Sequence, residues 1–129
     1  ERAVPRPIYT DPEIAGVGLT EAQARELHGD AVVVGRCPWL AIARAVMSGD
    51  TTGWIKTIHE SQYGQLLGVV IVGPHATDLI GEAVVALDAE STIETIADGV
   101  APHPTFAEGI KEAGLVALGR AIHLPPRRR

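Results

Sequence analysis

Two neighbouring segments, residues 53–59 and 65–72, do most to limit what this chain can fold into. Gly53-Trp54-Ile55-Lys56-Thr57-Ile58-His59 alternates apolar and polar side chains, the period of a half-buried strand. Residues 60–64 supply a turn, and residues 65–72 then run apolar with little alternation before Gly73-Pro74 stops them. A strand that is apolar on both faces needs cover on both. The second arm of this hairpin is therefore expected near the middle of a sheet with layers above and below it.

The rest of the chain supplies both sheet and cover. Ile8-Tyr9-Thr10 begins an extended segment that Asp11-Pro12 breaks and residues 14–19 resume. Thr20-Glu21-Ala22-Gln23 has the spacing of a capping box and opens a short helix ending near Leu27. Residues 31–36 form a valine-rich strand, while residues 41–46, apolar around Arg44, suit either state. Between residues 76 and 89, apolar side chains at 79, 80, 83, 84 and 87 make one helical stripe, with Asp78, Glu82 and Asp88 off it. Ser91 with Glu94 predicts a second capped helix, Ile93 and Ile96 inward, ending at Gly99. A last helix is expected over residues 106–118. Strand-rich stretches followed by three helices predict an α+β fold, a mostly antiparallel sheet of about five strands packed with helices. Residues 1–6 read as a linker, 7–122 as one domain and 123–129 as a tail.

Composition excludes several functions. The chain has 129 residues and is 46% hydrophobic, enough for one real core. A net charge of −5 and aromatics at only 4% argue against nucleic acid as a partner. The one basic run, Arg127-Arg128-Arg129, reads as a frayed end. No stretch approaches the roughly 20 apolar residues of a membrane span. Cys37 is the only cysteine, so neither an internal disulfide nor a Cys-x-x-Cys pair can form, and a buried, inert thiol is expected. A reducing, cytoplasmic setting is the default.

Most chemical motifs are missing too. Gly16-Val17-Gly18 begins like a dinucleotide fingerprint, but Glu21 stands where its third glycine belongs and puts negative charge where a pyrophosphate would sit. There is no P-loop and no Gly-x-Ser-x-Gly elbow. His28, His59, His75, His103 and His123 are scattered without metal-ligand spacing, so no metal site is expected. His59, at a strand end, reads as solvated.

One stretch remains, Pro102-His103-Pro104-Thr105-Phe106-Ala107-Glu108. The two prolines stiffen the backbone around His103. Thr105 reads as a helix N-cap with Glu108 as its partner at the third helical position. An imidazole presented rigidly beside a carboxylate is an acid–base device near neutral pH. The same residues also suit a plain helix cap beside a surface histidine.

These segments together resemble the carboxy-terminal dimerisation domain of the flavoprotein pyridine nucleotide–disulfide oxidoreductases. The resemblance runs from about Pro7 to Ala121. It rests on residues 8–21 (IYTDPEIAGVGLTE), Ala43-Arg44-Ala45, Gly53-Trp54-Ile55-Lys56, residues 67–73 (LGVVIVG) and His103-Pro104-Thr105-Phe106-Ala107-Glu108. It implies that His103 is the acid–base for a thiol substrate, that Glu108 bonds its ring, and that His103 and Pro104 meet the flavin. It also implies action in trans, across a homodimer's two-fold axis, at the flavin and redox disulfide of the other subunit. The parent enzyme would use FAD and NAD(P), carried by domains outside this sequence, on a small thiol or disulfide. This piece alone would bind neither cofactor and would be inactive. Phe106-Ala107 replaces the family's more usual Leu-Ser or Ser-Ser, and Asp78 stands where a glutamate is common. Two other readings stay open: a free-standing, non-catalytic dimerisation module, or the same domain from a quinone reductase or transhydrogenase.

Overall fold

A computed structural model describes residues 3–125. The Arg127-Arg128-Arg129 run lies outside the described residues. Strands β1 (Arg6–Ile8), β2 (Ile14–Gly18), β3 (Val32–Pro38), β4 (Trp54–Glu60) and β5 (Leu66–Val72) form one antiparallel sheet in the order β1-β2-β5-β4-β3. The helices are α1 (Glu21–His28), α2 (Ala43–Ser48), α3 (Ala76–Asp88), α4 (Ile93–Asp98) and α5 (Glu108–Ala117). The fold is α+β, as the sequence pattern implies. No helix among the described residues is long and apolar enough to cross a membrane.

The doubly apolar strand β5 lies at the centre of the sheet and feeds both layers. Leu66, Val69 and Ile71 join Ala15, Val17, Cys37 and Ile55 under α3, α4 and α5. Leu67 joins Val32 and Ile58 on the opposite face, where Ala24 of α1 covers them. Helix α5 crosses β3 and β4. It sits so close that a Cβ on Gly35 would overlap the Ala113 carbonyl oxygen, so glycine in β3 is what lets this helix lie flat on the sheet.

One open reading is resolved and three local expectations need correction. The ambiguous residues 41–46 are helical: a 3₁₀ turn at Trp39–Ala41 leads into α2. Helix α4 starts after Thr92, not Ser91, and no side chain caps it. The Ser91 backbone is taken up by Leu66 and Ala86. Helix α5 starts at Glu108, not Phe106, behind a turn in which Gly109 N–H reaches Phe106 O at 3.0 Å. Its N-cap is Ala107, and the Thr105 hydroxyl is spent elsewhere, donating to Pro102 O at 2.6 Å. Finally, His59 is not solvated. It is 4% exposed because β4 runs between β3 and β5 to its last residue, and burial pushes the imidazole pKa down against the raising effect of Glu94 and Glu60. The Thr20–Gln23 box on α1 does close in both directions.

Candidate functional site

The loop between α4 and α5 carries His103, and its placement begins with Phe106. That ring packs edge-on against Trp39, centroids 5.7 Å apart, and tilts onto His75 at 4.8 Å. Trp39 is fully buried and donates Nε1–H to Val72 O at 2.9 Å, so the loop is moored to the central strand. Both flanks of the loop are tied to α5. Lys111 Nζ donates to Gly99 O at 2.8 Å, and Glu108 Oε2 accepts the Thr105 N–H at 2.9 Å.

On this frame the His103 ring is 64% exposed, whereas the Glu108 side chain is only 14% exposed. Their separation is 2.9 Å from Nδ1 to Oε1 and 3.1 Å to Oε2. Partial burial pushes the Glu108 carboxyl up. The Thr105 N–H, the bond to His103 and the charges of His103 and His123 outweigh that and hold it below the ordinary glutamate value. An anionic Glu108 can only accept, so Nδ1–H is the donor. Nε2, on the far side of an exposed ring, is left to meet a substrate. Pro104 follows through a cis peptide and lines a groove of about 530 Å³ with Arg44, His75, Asp78 and Phe106.

Other candidates fall outside this arrangement. Gly16 and Gly18 lie inside β2, paired with Val70 and Gly68 of β5, and form no phosphate loop. Cys37 is sealed in the core, its thiol pushed up to about 12 by burial and then by Glu112. His103 is not alone in having an acidic neighbour, since His75 Nδ1 lies 3.9 Å from Asp78. Sequence reasoning passed over Glu112, a fully buried carboxyl on α5 whose signal is an acidic residue on an otherwise apolar helix face.

The same architecture occurs in solved flavoenzyme structures. The chain superposes with a TM-score of 0.82 and 28% identity on the HOCl-induced flavoprotein disulfide reductase RclA from Escherichia coli, over 88% of this chain and 26% of that one. LpdA from Mycobacterium tuberculosis gives 0.78 and 31% identity, over 86% of this chain and 24% of the other. The fold is thus one found within a flavoprotein disulfide reductase. Residues 4–114 match the family model described as pyridine nucleotide-disulphide oxidoreductase, dimerisation domain, and the chain belongs to that family. Among curated relatives it is 44% identical to a dihydrolipoyl dehydrogenase of Thermus scotoductus over 94% of its length, and 43% identical to one of Haloferax volcanii over 95%. It spans about a quarter of the length of these relatives, 26% in each case.

Proposed function

We propose that this chain is the interface domain of an FAD- and NAD(P)-dependent disulfide oxidoreductase acting on a dithiol of the dihydrolipoamide kind. Two copies associate, and each lends His103 and Glu108 to the redox disulfide and flavin held by the other. The observation that carries this reading is an exposed imidazole whose Nδ1 is fixed at 2.9 Å by a largely buried carboxylate. That geometry selects the tautomer with a basic Nε2.

The chemistry follows from thiol acidity. A substrate thiol near pKa 8.5 is mostly protonated at neutral pH and is a poor nucleophile. Nε2 takes the S–H proton as that sulfur attacks one sulfur of the disulfide. The S–S bond breaks and its electron pair leaves on the other sulfur. Glu108 steadies the imidazolium, which gives its proton to the released thiolate. Nε2 then takes the second substrate S–H proton as that sulfur attacks the substrate sulfur of the mixed disulfide. The substrate disulfide closes and the other enzyme sulfur is expelled as a thiolate. FAD, when bound, supplies the two-electron relay from the resulting dithiol to NAD(P).

The residues present suit an edge contact with such a cofactor, not a pocket. β2 offers no dinucleotide cradle and Cys37 is sealed in the core. That His103 and Pro104 meet the flavin is what the family resemblance implies, and the exposed His103 ring is compatible with it. The dinucleotide-binding domains and the disulfide then lie elsewhere in a longer chain, and a reducing cytoplasmic setting goes with this reading. Neither nucleic acid nor membrane is a partner in it.

The test is His103→Gln in the full-length flavoprotein. Dithiol oxidation should slow by roughly 10²–10⁴, the usual worth of a positioned acid–base group, with flavin content unchanged. Unaltered dithiol turnover would make this a dimerisation module with no part in the chemistry.

A further inference from the structure

His75 stands at the rim of the site, and the acid–base scheme does not use it. It joins β5 to α3 with φ 57° and ψ 22°, a left-handed conformation that glycine adopts freely and other residues adopt at a cost. Its surroundings impose that backbone. On one side Gly73 N–H donates to Glu13 O at 2.8 Å; on the other, Thr77 donates its N–H and its hydroxyl to Glu13 Oε2 at 2.9 and 2.8 Å. The His75 carbonyl accepts the N–H groups of Asp78 and Leu79, at 3.1 and 2.9 Å, and so opens α3. None of these bonds uses the imidazole. Glycine would make them all with less strain, so the turn alone gives no reason for a ring here.

The contacts of the ring supply one. Asp78 Oδ2 lies 3.9 Å from Nδ1, but the two side chains are 84% and 58% exposed, and an ion pair so open to water contributes little. Phe106 is the firmer neighbour, its ring centroid 4.8 Å away and the planes inclined by 45°. Phe106 also meets the buried Trp39 edge-on, and Trp39 Nε1–H is bonded to Val72 O at the end of β5. Val72 leads directly into Gly73-Pro74-His75. The contacts therefore close a circuit from the strand end through the turn, the imidazole, Phe106 and the indole back to the strand end. Phe106 is the one member of that circuit that lies on the loop of His103.

We propose that His75 is a positioning residue, a clamp whose imidazole keeps Phe106 against Trp39 and thereby holds the His103 loop where Glu108 meets the ring. The proposal rests on the acid–base reading of His103 and deepens it. With the imidazole gone, the part of Phe106 that it covers would open onto the groove of about 530 Å³ that both residues line.

Backbone and ring make opposite demands at this position, and that separates a clamp from a plain turn residue. His75→Gly and His75→Asn suit the left-handed backbone but lack the aromatic ring. In the FAD-loaded full-length protein both should keep their melting temperature. Their kcat and kcat/KM for the dithiol should fall together by roughly 3- to 10-fold, the effect of losing an aromatic contact that only positions the acid–base group. The Thr105 N–H should also exchange faster in His75→Gly. His75→Phe strains the backbone but restores a ring, so it should melt lower and yet turn over near the wild-type rate. His103→Gln/His75→Gly should be no slower than His103→Gln, because the loop then has no imidazole left to position. His75→Gly and His75→Asn at the wild-type rate, with His103→Gln still slow, overturn the clamp. So does a rise in KM alone, which would make His75 a substrate contact. His103→Gln at the wild-type rate instead overturns the acid–base reading itself. Should His75→Phe fail to fold, the rate of His75→Gly and the exchange at Thr105 decide the matter.

Discussion

Glu108 does two jobs with one carboxylate. Oε2 takes the Thr105 N–H and fixes the loop, while both oxygens lie within bonding distance of His103 Nδ1. Glu108→Gln retains an acceptor but loses the charge, so the fold should survive while the imidazolium loses its partner. A hydrogen bond to a charged group contributes about 1.5–3 kcal/mol. Dithiol turnover should therefore fall by roughly 10- to 100-fold, readable in kcat. The sign of the pH effect follows from the lowered carboxyl. Its contribution to stability is whole above the ordinary glutamate range, near pH 4.3, and is lost as pH falls through the folded value. Cys37 gives a second residue-level test: with its thiol pushed up to about 12, it should resist a thiol reagent at pH 8 until the protein is denatured. The His–Glu pair was legible in the sequence because both partners lie in one short loop bounded by prolines. Glu112 and His123 were not legible as partners, because a buried acid joined to backbone amides ten and eleven residues away leaves no pattern of side chains.

Among elements, α5 and the strands beneath it decide whether the site forms. Its first turn is as tightly seated as its middle: a Cβ on Gly109 would lie 2.6 Å from Ile55 Cδ1 and 2.9 Å from the Trp39 ring. Gly35→Ala, opposite Ala113, should lift α5 from β3. Overpacking of that kind costs about 1–3 kcal/mol or more, so thermal unfolding should come at a lower temperature. Since α5 carries Glu108, activity should fall with it. The β4–β5 turn is held by Glu60, which accepts the N–H groups of Gln62, Tyr63 and Gln65 at 2.8, 2.8 and 2.9 Å. Gln65 first, then Tyr63 and Gln62, hold its carboxyl below the ordinary value against the opposing pull of burial. In Glu60→Ala those three amides should exchange rapidly while β2 stays protected; slow exchange at all three would refute the assignment. Elements with a strong period were readable in advance, β5 from its unbroken apolar run and α3 from its stripe. The capping boxes were less dependable. Thr20 closes one; at Thr105 only the Glu108 half forms because the hydroxyl donates to Pro102 O, and at Ser91 none forms because the helix starts one residue later, after Thr92. Residues 41–46 had no period to read, and packing of Ile42 and Ala45 into the core sets their state.

At the scale of the whole molecule, the proposed dimer gives the exposed imidazole its purpose. The His103 ring is 64% exposed, and the fold is that of a family's dimerisation domain. Leu40, Val46 and Met47 are each more than half exposed around α2, and Tyr9 is 80% exposed, side chains that self-association would cover. The most direct test of the central claim is subunit complementation in the full-length enzyme. One parent carries His103→Gln with intact redox cysteines; the other carries His103 but has its redox cysteines changed to serine. Each homodimer should be nearly inactive. Mixed dimers formed by unfolding and refolding the two together bring an intact His103 opposite an intact disulfide once per dimer. Action in trans predicts that the mixture regains dithiol oxidation, up to half the wild-type rate per mixed dimer. A mixture that stays as inactive as its parents, with mixed dimers demonstrated, would contradict it.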